Sequence, residues 1–195
     1  MKFLSAISGL LWFLFAPLIA QTAAELTHET DALESADGAL FASLINPTAE
    51  RLAKRHSMEP LWILGSTGED QKIQTVDLYF QLQKPLVRNE LRRIIVDCVR
   101  ETVSAFNTSS QLASWLATGS LSESDVSINL YLFDADGHFA SHPAIAIVEA
   151  RDGDLLFRTI GRRRWFGQAR EFDAREPYSV AREIVRVTTP LPQAS

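Results

Sequence analysis

The chain has 195 residues, a net charge of −5, and 46% hydrophobic against 22% charged side chains, the ordinary balance of a globular protein. Its single cysteine, Cys98, excludes an intramolecular disulfide. The charge is uneven: residues 25–75 hold nine acidic and four basic side chains, and residues 151–195 hold six acidic side chains and nine arginines, a pattern that argues against whole-molecule nucleic-acid binding.

The opening "MKFLSAISGLLWFLFAPLIAQTAAEL" places Lys2 before an apolar run over Phe3–Ala20, with Thr22 and Ala24 at the −3 and −1 positions of a signal-peptidase site. Residues 1–24 are therefore expected to act as a secretory signal peptide. The run approaches the ~18–20 residues of a membrane anchor, but Pro17 and the small residues after it favour cleavage. No cysteine lies near the boundary, which argues against a lipid anchor. Cleavage after Ala24 leaves 171 residues, enough for one domain with a core and no stable membrane span.

Residues 25–45 read as an acidic, flexible leader, and residues 46–190 as a single domain. "NPTAERLAKRHSM" (46–58) predicts a short helix capped by Asn46 or Thr48, and "GSTGED" (65–70) a loop. In "TVDLYFQLQKP" (75–85), Val76, Leu78, Phe80 and Leu82 alternate with Asp77, Tyr79, Gln81 and Gln83, the period of a strand with one buried face. Residues 85–106 carry Leu91, Ile94, Ile95, Cys98, Val99 and Phe106 as one helical stripe, with Pro85 suited to the start. Residues 107–125 read as a loop with one helical turn around Leu112–Leu116. A strand follows over Val126–Leu132, then a hairpin over 143–161 turning at Asp152-Gly153. Residues 177–187 predict a short helix, and the last eight residues a frayed end. The sum is an α+β, two-layer domain: one long amphipathic helix on a mostly antiparallel sheet of about four strands, with short terminal helices.

The succession "RLAKRHSMEPLWILGSTGEDQKI", "VDLYFQLQKPLVRNELRRIIVDCV", "INLYLFDADG" and "AIVEARDGDLLF" resembles a family of small, exported bacterial proteins of uncharacterised function, over roughly residues 51–160. The likeness is one of layout. Family members tend to have a glycine-rich loop at the "GSTGED" position and a more regular loop after the long helix. The resemblance implies a bacterial envelope setting, periplasmic or secreted, and carries no activity and no site residues.

"FDADGHFASHP" (133–143) is the densest cluster of possible ligands. Aligned as a calcium loop on Gly137, it puts Asp134 and Asp136 at positions 3 and 5, but Leu132 at 1 and Pro143 at 12, where oxygen ligands are required. His138 and His142 have the spacing of a helical zinc pair, yet Gly137 and Pro143 bracket them too closely for a helix. An irregular loop gathering Asp134, Asp136, His138 and His142 around a metal is the alternative, and would make the protein a metal-assisted hydrolase. Asp-x-Asp-Gly after an alternating strand more simply reverses the chain, because aspartate accepts from nearby backbone N–H groups and Gly137 supplies positive φ.

"GRRRWFGQAR" (161–170) offers Arg162, Arg163, Arg164, Trp165 and Phe166 as a partner-binding segment for an anionic envelope component or another protein. Charges beyond a hydrophobic strand also serve as edge protection. Cys98 lies on the inward stripe and reads as a small buried hydrophobe. Asp97 has Arg93 and Arg100 at helical spacing for surface pairs. "GSTG" is not the strained nucleophile elbow of a hydrolase, and no phosphate-binding or dinucleotide fingerprint occurs. Asn107 in "NTS" is a glycan acceptor only in a eukaryotic pathway. The expectation is an exported, non-catalytic binding or accessory domain without a cofactor, acting through an exposed sheet edge or the Arg162–Phe166 segment.

Overall fold

A computed structural model describes residues 36–68, 72–161 and 171–188. The chain divides into a first unit, residues 1–43, and a second, residues 44–195. In the first, residues 36–43 are helical, as the opening turns of α1 (Ala36–His56). The second holds the rest of α1 and every element that follows. None of the described helices is long and apolar enough to cross a membrane.

Helix α1 is longer than expected. Asn46-Pro47-Thr48 has the character of a helix start, because proline tolerates the first turn, but the helix runs through Pro47 from Ala36. Thr48 does not cap it. Its side chain is buried and its hydroxyl accepts from Arg51 Nη2 at 3.3 Å. Ile45, Ala49, Leu52 and Ala53 form the buried stripe at helical spacing. The helix ends on Ser57 at φ 55°, and Met58 N–H reaches back to the Ala53 carbonyl at 2.8 Å, the 6→1 bond of a Schellman closure.

The sheet has six strands, not about four: β1 (Glu59–Thr67), β2 (Ile73–Leu82), β3 (Val126–Leu132), β4 (Ile147–Arg151), β5 (Asp154–Ile160) and β6 (Glu171–Pro177), in that spatial order. Among the described strands only β2 and β3 pair in parallel. Between them the chain makes the crossover that a parallel pair requires, through α2 (Arg88–Thr108). α3 (Tyr178–Thr188) follows β6. The first three residues of "GSTGED" thus belong partly to a strand, since β1 runs through Thr67.

The alternation in β2 and β3 has the predicted result. Val76, Leu78, Phe80 and Leu82 are buried beside Val126, Ile128, Leu130 and Leu132, and Val148, Ala150, Leu155 and Phe157 continue the layer. Helix α2 packs on this face at β3, and α3 on β5, β6 and α2. All six residues of the expected α2 stripe are buried, Cys98 among them, and Val96 and Thr102 join them. The Glu90 carboxylate accepts the Val87 N–H at 3.1 Å and so satisfies an orphan donor at the helix start.

The segment after α2 is anchored more firmly than a loop need be. The Asn107 amide both donates to the Leu121 carbonyl at 2.8 Å and accepts the Leu121 N–H at 2.7 Å. Ile73 bonds Trp115 and Ala117 through its backbone, and Leu112 and Leu116 are buried. At the β4–β5 turn, Asp152 and Gly153 both have positive φ, 52° and 80°, the geometry that a two-residue hairpin matched to strand twist requires.

Candidate functional site

The sheet has a second face. Pairing places Trp62, Tyr79, Asn129, Glu149, Leu156 and Arg175 in one row across all six strands, and Glu59, Gln81, Tyr131, Ile147 and Arg158 in the next. These are the polar halves of the same alternations whose apolar halves make the core. Not one is buried, in contrast with every core partner on the opposite face of β2 and β3. A solvated face of this kind is open to antiparallel and mixed sheets, and among the described residues α2 and α3 contact the sheet on its buried side.

Its composition is unusual for a merely solvated surface. Trp62 is 50% exposed and meets Tyr79 edge to face, with ring centroids 6.0 Å apart. Phe139 is 43% exposed, stacks on Phe133 at 4.7 Å, and meets the Tyr131 ring edge to face at 6.1 Å. Such pairs hold aromatic side chains in fixed poses while leaving ring area available. Between and beside them lie Gln81, Asn129 and the ion pair Arg158–Glu149 at 2.9 Å. Partial burial, reinforced by the Glu149 carboxylate, pushes the Tyr131 phenol above its ordinary pKa, so it stays a neutral donor.

The 133–143 loop supplies Phe139 to this face, and its aspartate is occupied. Asp134 Oδ1 accepts the N–H groups of Asp136 and His138, both at 3.0 Å. The Asp134 N–H bonds the His138 carbonyl at 2.8 Å, and Gly137, at φ 78°, returns its N–H to the Asp134 carbonyl at 3.1 Å. This is an aspartate-built turn in the sense that the sequence pattern implies. His138 projects outward, 81% exposed, with Nδ1 4.0 Å from Asp134 Oδ1. The His142 N–H bonds the Ile160 carbonyl at 2.9 Å, fixing the loop to the end of β5. Among the described residues no three His, Cys, Asp or Glu side chains stand together in a way that would hold a metal ion.

Arg162, Arg163, Arg164, Trp165 and Phe166 lie outside the described residues. Ile160 and Glu171, on either side of that segment, are partners across the β5–β6 hairpin.

A second cluster joins α1 to α2. Asp97 takes hydrogen bonds from His56 Nε2 and Arg55 Nη1, each at 2.8 Å, and Glu101 pairs with Arg51 at 2.7 Å and Arg55 at 3.3 Å. The surface pairs expected within α2, Asp97 with Arg93 and Arg100, are thus replaced by partners from α1, and Arg93 Nη2 donates to the Thr188 carbonyl at 3.0 Å. Contact order in space overrides spacing along one helix. The His56 bond, then Arg55, lowers the Asp97 pKa to about 2 against a desolvation cost. A histidine oriented by a carboxylate is two-thirds of a hydrolytic triad, but His56 bonds no hydroxyl or thiol among the described residues. The neighbouring thiol, Cys98, is fully buried, and burial raises its pKa far from any nucleophilic range. The cluster reads as a tether between helices.

Sequence reasoning anticipated the outward side chains of β2 and attached no role to them. The available signal was the choice of tyrosine at Tyr79 and Tyr131, outward positions where short polar residues suffice. Comparison with models of protein families, with curated proteins and with solved structures finds no match.

Proposed function

We propose that this protein is an exported, non-catalytic binding domain of the bacterial envelope, and that its helix-free sheet face is the platform on which the ligand rests. The observation that carries the reading is the aromatic set of exposed Trp62 and Phe139 with half-buried Tyr79 and Tyr131, interleaved with Gln81, Asn129, Glu149 and Arg158. Rigid rings with polar groups between them are the chemistry of a recognition surface, whereas a hydrolase would need a nucleophile, a base and an activating group in mutual reach. The apolar leader over residues 3–20 supports export, and the likeness to small exported bacterial proteins supports the envelope setting. The arginine-rich sequence Arg162–Phe166, which follows β5 in the chain, favours an anionic component as the ligand.

The test uses protein expressed with its own leader and recovered from the envelope fraction. Binding is measured to anionic phospholipid vesicles and to acidic cell-wall polymer, at low and moderate salt. Tyr79→Ala with Tyr131→Ala is expected to weaken binding at both salt levels. Arg162→Ala, Arg163→Ala and Arg164→Ala together are expected to weaken it chiefly at low salt. Unchanged binding by folded forms of both variants, or no binding by the wild type to either probe, would overturn the reading.

A further inference from the structure

The two edges of the sheet differ in kind. β6 is a defended edge: the exposed Arg175 lies on it and the exposed Pro177 ends it. Charges and proline are what exposed edges carry when they must not pair with another chain. β1 has the opposite character. Among the described residues it hydrogen-bonds to β2 alone, its centre is the unbroken apolar run Leu61-Trp62-Ile63-Leu64, and none of its nine residues is buried. Its one charge, Glu59, and its proline, Pro60, sit together at one end. Register shifts between Pro60 and Trp62 and between Ser66 and Thr67 leave Trp62–Ser66 as the regular stretch of edge.

We infer that β1 pairs with β1 of a second copy of this chain, antiparallel about a two-fold axis at Ile63, so that two sheets join into one. The sequence is self-complementary in that register. Trp62 lies opposite Leu64 of the second copy and Leu64 opposite its Trp62, while Ile63 meets its own equivalent. A two-fold axis makes the interface isologous and closes it at two chains, and in this register apolar side chains meet apolar ones. Trp62 and Leu64 belong to the helix-free face, where they pair with Tyr79 and Asp77, so the two copies together form a four-residue apolar strip there. Ile63, paired with the core residue Leu78, is on the helix side. Glu59 falls opposite Thr67, about 27 Å from its own equivalent at the strand rise of about 3.4 Å per residue, so like charges do not meet. A parallel arrangement would set the two Glu59 carboxylates against each other, and pairing β1 with β6 would press an apolar run onto a charged one.

The inference is independent of what the platform binds, although it would make that platform continuous across both copies. Protein recovered from the envelope fraction is measured by sedimentation equilibrium from about 1 to 100 µM, a range that covers weak edge-to-edge association. Twice the chain mass is expected, and Ile63→Lys is expected to give the single-chain mass with an unchanged circular dichroism spectrum. Single cysteines then fix the register without relying on a disruptive variant. Ile63→Cys is expected to crosslink on mild oxidation, because directly opposed Cα atoms in antiparallel strands lie about 4.5–5.5 Å apart, within disulfide reach. Glu59→Cys is expected not to crosslink. Cys98, buried, contributes no background. A single-chain mass at every concentration overturns the inference, and so does a mass beyond two chains, which would signal head-to-tail growth. Crosslinking at position 59 but not at 63 would overturn the antiparallel register.

Discussion

Arg92 and Glu176 form the ion pair most removed from solvent among those described, with side chains 12% and 16% exposed. Arg92 Nε and Nη2 donate to the two carboxylate oxygens of Glu176, each at 2.6 Å, and the guanidinium lies over the Phe157 ring with 5.8 Å to its centroid. The pair fastens the middle of the crossover, α2, to the last residues of β6, just before α3 begins. Glu176→Gln leaves the guanidinium facing an amide that can accept only one of its two bonds. Arg92→Met leaves a carboxylate with little water and no cation. Breaking one side of a well-buried pair costs ~3–5 kcal/mol. Residual exposure here, and the bond that Arg92 keeps to Asn89, put Glu176→Gln near ~2 kcal/mol and Arg92→Met near ~3 kcal/mol. The double variant, with no orphaned charge, is expected to lose less than the sum, giving a coupling energy of ~1–2 kcal/mol. Urea denaturation at pH 7 of the four proteins closes the cycle. The exposed pair Arg182–Glu123, 52% and 33% exposed and held by Nη1 alone, provides a control expected to couple by less than ~1 kcal/mol. Additive losses at Arg92 and Glu176, or equal coupling in both pairs, would refute the argument from burial.

Three further outcomes follow from local geometry. Asp97→Asn is expected to lower stability at pH 7 by about 1 kcal/mol, roughly half the unscreened value of its depressed pKa, because the carboxylate is 36% exposed. Its folded pKa, about 2, lies below the unfolded value near 4, so the contribution is complete above pH ~4 and is lost as pH falls toward 2; urea titrations at pH 7 and pH 2.5 should show the gap between wild type and variant narrowing. Thr102→Val is expected to raise stability by ~1 kcal/mol, since the buried Thr102 hydroxyl has no hydrogen-bond partner among the described residues, and a drop in the denaturation midpoint would show that the hydroxyl is satisfied in solution. Ser57→Gly removes a left-handed backbone strain at φ 55° and is expected to raise Tm, by an amount equivalent to ~0.5–1 kcal/mol after glycine's greater unfolded entropy; a lower Tm would assign the serine side chain a stabilising role.

The parts of the fold legible in the sequence are those where burial alone decides the pattern. β2 and β3 alternate cleanly because one face meets helices and the other water, and α2 shows a single stripe because one side meets the sheet. The Asp152-Gly153 turn was readable because few residue pairs tolerate two positive φ values in succession. β1 was not. As an edge strand half-exposed on both sides, it has no reason to alternate, and Leu61–Leu64 reads as an undirected apolar run. β6 was missed for the complementary reason, since a charged edge looks like a surface loop. The reach of α1 upstream of Pro47 was hidden by a proline that more often marks a helix start. For the site, the tyrosines of the open face were visible as alternating residues, but their gathering with Trp62 and Phe139 depends on pairing between β1, β2 and β3 that no local pattern encodes. The Asp134–Gly137 turn was readable from residue chemistry, and the arginine segment 162–164 lies beyond the described residues.

The sequential strand order has a kinetic meaning. β3, β4, β5 and β6 are each joined to the next by antiparallel neighbours in both sequence and space, so their contacts are local and cheap in loop-closure entropy. β2 and β3 meet only after the long excursion from Leu82 to Val126 has closed, which makes their parallel seam the highest-order contact of the sheet. Topology of this kind places the rate-determining step at that seam. By the same criterion the β1–β2 pair is local, so both it and the β3–β6 meander are expected to form before the seam closes. Substitutions at the β2–β3 seam should therefore act mainly on the rate of folding.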